Sequence, residues 1–101
     1  MSYEHVTLDK ANHIATLTLN RPDKLNAMTK DMWRRLGEVM TELAADEILR
    51  CLVLRGAGSK AFSPGNDIAE FETERANASQ AKAYGRVLHE ALGALKSCRH
   101  P

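Results

Sequence analysis

An α/β domain with the element order β-β-α-β-short α-α is the fold class this sequence predicts, and three observations carry it. Residues 5–10 and 14–20 alternate apolar and polar side chains, as half-buried strands do. Met32, Trp33, Leu36, Val39, Met40 and Leu43 recur at helical spacing and form one apolar stripe. Cys51-Leu52-Val53-Leu54 is a continuous apolar run of strand length.

In the first strand Val6 and Leu8 alternate; in the second, Ile14, Ala15, Leu17 and Leu19 mark the buried side. Ala11-Asn12-His13 between them is short enough to turn, so the pair reads as a β-hairpin. Pro22 lacks a ladder donor and biases Arg21 toward an extended conformation, which ends the second strand. After the loop KLNAM, Thr29 can cap a helix over 30–45 whose stripe, Trp33 and the methionines included, reads as core packing. A strand over 48–55 follows, apolar on both faces and so expected to be covered on both. A loop over 56–66 leads to a short helix over 67–72. A polar stretch separates it from a long amphipathic helix over 79–97, with Tyr84, Val87, Leu88, Ala91, Leu92 and Leu95 on one face. Three strands with unpaired edges, and a proline straight after a long helix, give the chain the look of the first part of a domain.

Composition narrows the function classes. The 101 residues allow one small domain, read here as a single unit over 1–101. A formal net charge of +1 supplies no field for nucleic acid, and no apolar run approaches the roughly 20 residues that span a bilayer. The start, MSYEHVTLDK, has no apolar core of a secretion signal, and Cys51 and Cys98 read as two reduced thiols, which points to the cytoplasm. His5, His13, His89 and His100 have no metal-ligand spacing, so no metal is expected.

Three motifs fail on chemistry. Residues 56–61, GAGSKA, fit a dinucleotide fingerprint, yet Ser63-Pro64-Gly65 falls where the helix of that motif must run. Ser63 lacks the first glycine of a nucleophile elbow, and no His–Asp pair is placed to activate it. His89-Glu90 begins a zinc motif, but Gly93 stands where the second histidine belongs.

The loop AFSPGND carries more. Asp67-Ile68-Ala69-Glu70 has capping-box spacing, so a helix is expected to begin at Asp67. Gly65 can take positive φ and lets a ligand approach closely. The backbone N–H of Asn66 then sits free at a helix start, where it can hold a developing negative charge such as a carbonyl oxygen becoming an enolate, helped by the helix dipole. That chemistry needs the backbone; the Asn66 side chain is secondary. A plain turn with a helix cap explains the same residues.

LTLNRPDKLNAM followed by VLRGAGSKAFSPGNDIAEF resembles the crotonase family, the enoyl-CoA hydratases and isomerases, over nearly the whole chain. The second segment follows the family pattern G-x-G-x-x-F-x-x-G-x-D with one extra residue before Phe62. The resemblance implies the N-terminal portion of a crotonase-like spiral of β-β-α units. It implies an acyl thioester of coenzyme A as substrate, with coenzyme A entering as part of that substrate and no covalently bound cofactor. Two backbone N–H groups would hold the thioester oxygen, the first on Asn66. Lys24, Leu25 and Ala27 from the first segment would line the coenzyme A cleft with Phe62, Ser63, Pro64, Gly65, Asn66, Asp67 and Ile68 from the second. Lys24 could meet a phosphate, and Asp67 would be structural. Trimers are usual in the family.

The sequence departs from that pattern in two ways. Asn66 replaces the commoner alanine, and Gly-Asn-Asp resembles the Δ3,Δ2-enoyl-CoA isomerase branch. The second oxyanion glycine and the family's catalytic carboxylates would lie C-terminal to Pro101. Glu70, Glu72 and Glu74 read as a solvated acidic face, so this chain alone is expected to have little activity. A non-catalytic module that binds coenzyme A or pairs with another subunit through the open sheet edge is the alternative.

Overall fold

A computed structural model describes residues 5–101. Strands β1 (Val6–Ala11) and β2 (Ile14–Leu19) form the expected hairpin, with Val6 opposite Leu19 and Ala11 opposite Ile14. The connection is tighter than AlaAsnHis: Ala11 is already paired, and Asn12 and His13 alone make the turn, both at positive φ. Two positive-φ residues match the right-handed twist of a hairpin.

Helix α1 (Lys30–Ala44) carries the chain back so that β3 (Cys51–Gly56) pairs parallel with β2, Ile14 against Cys51 and Leu19 against Gly56. Parallel neighbours need such a crossover. Thr29 caps α1 as expected, its Oγ1 accepting from the Met32 N–H at 3.1 Å. The α1 stripe of Met32, Leu36, Val39, Met40 and Leu43 packs with Val6, Ala15, Leu17 and Leu19 from the sheet in one core. Burying a side chain of that size contributes about 1.5–3 kcal/mol, so this layer dominates stability.

Strand β3 differs from its expected two-sided burial. Leu52 and Leu54 pack on the core, while Val53 on the opposite face is 41% exposed. No described element lies over that face. Residues 48–50 precede the strand; Asp46 Oδ1 accepts from the N–H groups of Ile48 and Leu49 and turns the chain there. Along the other edge of β3, Leu52 donates its N–H to the carbonyl of Pro101 at 2.9 Å.

After β3 comes a loop, a single 3-10 turn at Ile68–Glu70, the four-residue helix α2 (Phe71–Glu74) and the long helix α3 (Ala78–Ser97). Asn77 caps α3 through its side chain, which accepts from the Gln80 N–H. α3 lies against α1 where Gly37 meets Ala91; a Cβ on Gly37 would stand 3.2 Å from the Ala91 Cα. The contact buries Ala91 and Tyr84 and sets α3 beside the 66–67 loop.

Candidate oxyanion site

The two loops that matter are bound together by polar contacts rather than by apolar burial. Leu25 and Asn26 both adopt positive φ, which an L-residue other than glycine takes infrequently. Asn26 is fully buried, and its carboxamide explains the conformation. Its Oδ1 accepts from the Arg21 N–H at 2.9 Å, and its Nδ2 donates to the carbonyls of Ala57 and Ala61 at 2.9 and 3.1 Å. The side chain thus satisfies three backbone groups of two loops at once.

Gly56 is the counterpart on β3. A Cβ there would stand 2.3 Å from the Phe62 carbonyl oxygen and 2.8 Å from Asn26 Nδ2. The first glycine of GAGSKA therefore serves a close crossing of backbone, not a phosphate, and no helix opens within the glycines, in line with rejecting the dinucleotide reading. Ser63 is equally occupied: its Oγ donates to the Asn26 carbonyl at 2.6 Å and accepts from the Gly65 N–H at 3.1 Å.

Gly65 takes φ +101, as expected. The chain then runs beside Met28 in a parallel bridge. Met28 donates its N–H to the Gly65 carbonyl at 2.7 Å, and Asp67 donates to the Met28 carbonyl at 2.9 Å. Both bonds skip Asn66, whose own N–H faces away from Met28, as the middle residue of a parallel bridge must. Among the described residues nothing accepts from it.

The expected capping box does not form. Asp67 Oδ1 accepts from the Ala69 N–H at 2.9 Å, but the Asp67 N–H is already committed to Met28, so Glu70 has no donor to reach back to. Glu70 instead accepts from the Lys30 N–H at 2.7 Å and caps the start of α1. Nor is there a full helix to supply a dipole: the chain makes one 3-10 turn and then only the four residues of α2. The Asn66 N–H stands without that help.

Asp67 is held by Arg21. The guanidinium reaches its Oδ2 at 2.7 Å and also donates to the Ala27 carbonyl at 3.0 Å. The Arg21 hydrogen bond, then that of the Ala69 N–H, holds the Asp67 carboxyl below the usual carboxylate range. This ion pair joins the two sequence segments directly and fits the expected structural role of Asp67.

The acidic residues are less uniform than a solvated face. Glu72 is exposed, but Glu74 pairs with Lys30 at 3.5 Å, and Glu70 is half-buried. Burial pushes the Glu70 carboxyl up, against the lowering effect of its bond from Lys30 and with the help of the Glu74 charge.

Trp33 packs against the core as expected, but its indole N–H also donates to the Asn66 Oδ1 at 2.7 Å. The Tyr84 hydroxyl donates to the same oxygen at 3.3 Å. The Asn66 side chain, secondary on the sequence alone, is therefore anchored.

The residues expected to line a cleft divide. Lys24, Leu25, Phe62, Pro64 and Ile68 are exposed, Phe62 by 54% and Ile68 by 75%; Ala27, Ser63, Gly65, Asn66 and Asp67 are half-buried. Leu25 lines a recess of about 230 Å³ with Pro22, Ala57, Gly58, Ser59, Lys60 and Ala61. Lys60 is a cation at this recess that the sequence reading missed. Arg21, Asn26, Trp33 and Tyr84 were missed as well. Asn26 carried a signal: an asparagine inside a loop between two apolar positions is a candidate for positive φ.

Among the described residues no group of His, Cys, Asp and Glu could hold a metal ion, Cys51 and Cys98 are free, and no helix is long and apolar enough to cross a membrane.

The sequence model of the enoyl-CoA hydratase/isomerase family matches residues 14–101. A crotonyl-CoA hydratase of Syntrophomonas wolfei is 29% identical over 101 residues, 100% of this chain and 38% of that protein. A mitochondrial Delta(3,5)-Delta(2,4)-dienoyl-CoA isomerase of Mus musculus is 36% identical over 74 residues, 72% of this chain and 22% of that protein. Among solved structures, an enoyl-CoA hydratase/carnithine racemase from Magnetospirillum magneticum superposes with a TM-score of 0.92 at 49% identity, covering 99% of this chain and 38% of that one. The chain spans well under half the length of these relatives.

Proposed function

We propose, from the premise that this chain belongs to the enoyl-CoA hydratase/isomerase family and has the crotonase-type α/β fold, that it binds an acyl thioester of coenzyme A and polarises the thioester carbonyl through the backbone N–H of Asn66. One observation carries the reading. In a loop whose neighbouring amides are bonded, the Asn66 N–H is left open beside the bridge to Met28. A donor held in place before the ligand arrives needs no reorganisation when charge develops on the oxygen.

The surroundings suit such a ligand. Leu25, Phe62 and Ile68 are exposed apolar side chains of the two loops, Lys60 lines the recess at Leu25, and Lys24 is the exposed residue before Leu25 in the chain. Apolar contact can hold the pantetheine and acyl chain, while ammonium groups meet phosphate.

Proton transfer is a separate matter. Glu70 accepts from Lys30, Glu74 pairs with Lys30, and Asp67 is held by Arg21. These carboxylates have structural partners, so this chain supplies binding and carbonyl polarisation with little turnover of a trans-2- or 3-enoyl-CoA by itself. Hydration and isomerisation both pass through a polarised thioester, and the reading covers both. A trimeric assembly and a cytoplasmic location belong to the same proposal, the latter resting on the two free thiols.

The test compares two ligands that differ by one oxygen. Butyryl-CoA has the thioester carbonyl; S-butyl-CoA, a thioether, lacks it. Calorimetric titration should show butyryl-CoA binding roughly 5- to 10-fold more tightly, the size of one hydrogen bond to a neutral carbonyl. Equal affinities would leave a module that holds coenzyme A without acting on its thioester. No binding of either would remove the proposal altogether.

A further inference from the structure

We propose that Trp33 and Tyr84 are positioning residues that clamp the Asn66 carboxamide and so tie the bridged segment that carries its backbone N–H to helices α1 and α3. This deepens the reading given above and rests on it for the ligand, though the clamp can be tested without one.

Three features support the clamp. First, the chemistry of the donors orients the amide. The indole N–H can only donate, so the atom facing it at 2.7 Å must be the Asn66 oxygen. The Tyr84 hydroxyl approaches the same atom at 3.3 Å. One acceptor thus takes two donors from two different helices, α1 and α3, which are themselves packed together through Gly37 and Ala91.

Second, the Tyr84 donor is sheltered. Tyr84 is 2% exposed, and the Arg75 guanidinium lies 5.4 Å from its ring centre and 4.6 Å from that of Phe71. Burial, with the nearby Glu70 charge, pushes the Tyr84 phenol up and keeps it in its donor form near neutral pH.

Third, the clamp adds a side-chain constraint to the one the backbone already has. The bridge to Met28 holds the peptides on either side through the Gly65 carbonyl and the Asp67 N–H. Gly65, immediately before it, is at positive φ, and a Cβ there would meet nothing within 4 Å. The bonded Gly65 carbonyl sets the plane of the Asn66 N–H, and the side-chain anchor holds that plane in place against α1 and α3.

Trp33 is the single tryptophan of the chain, so one indole N–H resonance reports on the clamp. In ¹H–¹⁵N spectra without ligand, Asn66→Leu, which keeps the side-chain size and removes the acceptor, should move that resonance upfield. Tyr84→Phe, which removes a single oxygen, and Trp33→Phe should shift or broaden the Asn66 amide resonance while leaving the Met28 and Asp67 amides in place. An indole resonance indifferent to Asn66→Leu, or an Asn66 amide unmoved in both aromatic variants, overturns the proposal whatever the ligand does.

The ligand arm separates positioning from plain stability. With butyryl-CoA and S-butyl-CoA, Tyr84→Phe should reduce the preference for the thioester roughly threefold or more, within the size of one hydrogen bond, and leave thioether binding as it was. An equal loss for both ligands would mean that the aromatic pair only supports the fold, and would also overturn the proposal. If the unaltered chain shows no thioester preference, the acyl-CoA reading fails, while the ligand-free spectra still decide whether the clamp exists.

Discussion

The sheet–helix layer and the loop layer of this molecule are held by different physics. β1, β2 and α1 meet through an apolar core built from Leu17, Leu36, Val39, Met40 and their neighbours. The loops over 21–28 and 56–67 meet through Asn26, Ser63, Arg21 and Asp67, and Met28 is their one buried apolar side chain. An apolar core tolerates rearrangement as long as volume and pattern are kept. A polar knot in which one carboxamide serves three backbone groups has no equivalent substitute. The first layer gives stability; the second gives the placement of one N–H.

Substitutions can break that contrast, beginning with the core. Leu36→Ala should cost about 2–5 kcal/mol in chemical denaturation, with the Asn66 amide environment unchanged in whatever fraction stays folded. A loop-layer substitution with an effect this large on stability and none on the loop amides would contradict the division.

Next comes Asn26→Ala, which leaves the Ala57 and Ala61 carbonyls and the Arg21 N–H without partners and puts alanine at positive φ. The expected loss is about 2–3 kcal/mol, and amide exchange should accelerate at Met28 and Asp67 before it does in β2.

The Arg21–Asp67 pair sharpens the comparison through pH. Asp67 titrates lower in the folded chain than in the unfolded one. Its ionised form therefore adds stability in full above the ordinary carboxylate value, and that stability is lost as pH falls through the depressed one. Asp67→Asn should flatten this acid limb in denaturation followed at a series of pH values.

Glu70 has the opposite sign and the smallest effect. Burial raises its pKa, so the folded chain holds more protons than the unfolded one between the ordinary and raised values, and stability declines as pH rises through that window. Glu70→Gln keeps an oxygen for the Lys30 N–H and should remove the decline. A variant that retains it would place its origin elsewhere.

The same contrast explains what could be read from the sequence. The hairpin, the α1 stripe, the existence of the third strand and the long α3 were legible because apolar patterning reports burial directly; the parallel pairing of β3 and its one exposed face were not. Thr29 and Gly65 were legible because capping and positive φ are local. The cross-loop roles of Asn26 and Arg21 were not, since the partners that join the loops, Ala57 and Asp67, lie tens of residues away, and the local signal at Asn26 points to positive φ but not to those partners. Trp33 was only half read: its spacing placed it on the core stripe, but its indole N–H finds a partner that only the folded chain brings near. The capping box at Asp67 was misread for a related reason, because a distant carbonyl, that of Met28, had already taken the donor it required. The expectation that Asn66 belongs to a site came from the family motif. The structure adds its open N–H and its anchored side chain.

The most direct test of the account is hydrogen exchange at three neighbouring amides, followed by NMR with and without butyryl-CoA. The account predicts slow exchange at Met28 and Asp67 throughout. Asn66 should exchange fast in the free chain and slow down when butyryl-CoA is bound. Protection of the Asn66 amide in the free chain would mean that this N–H already has a partner, and the central claim would be wrong.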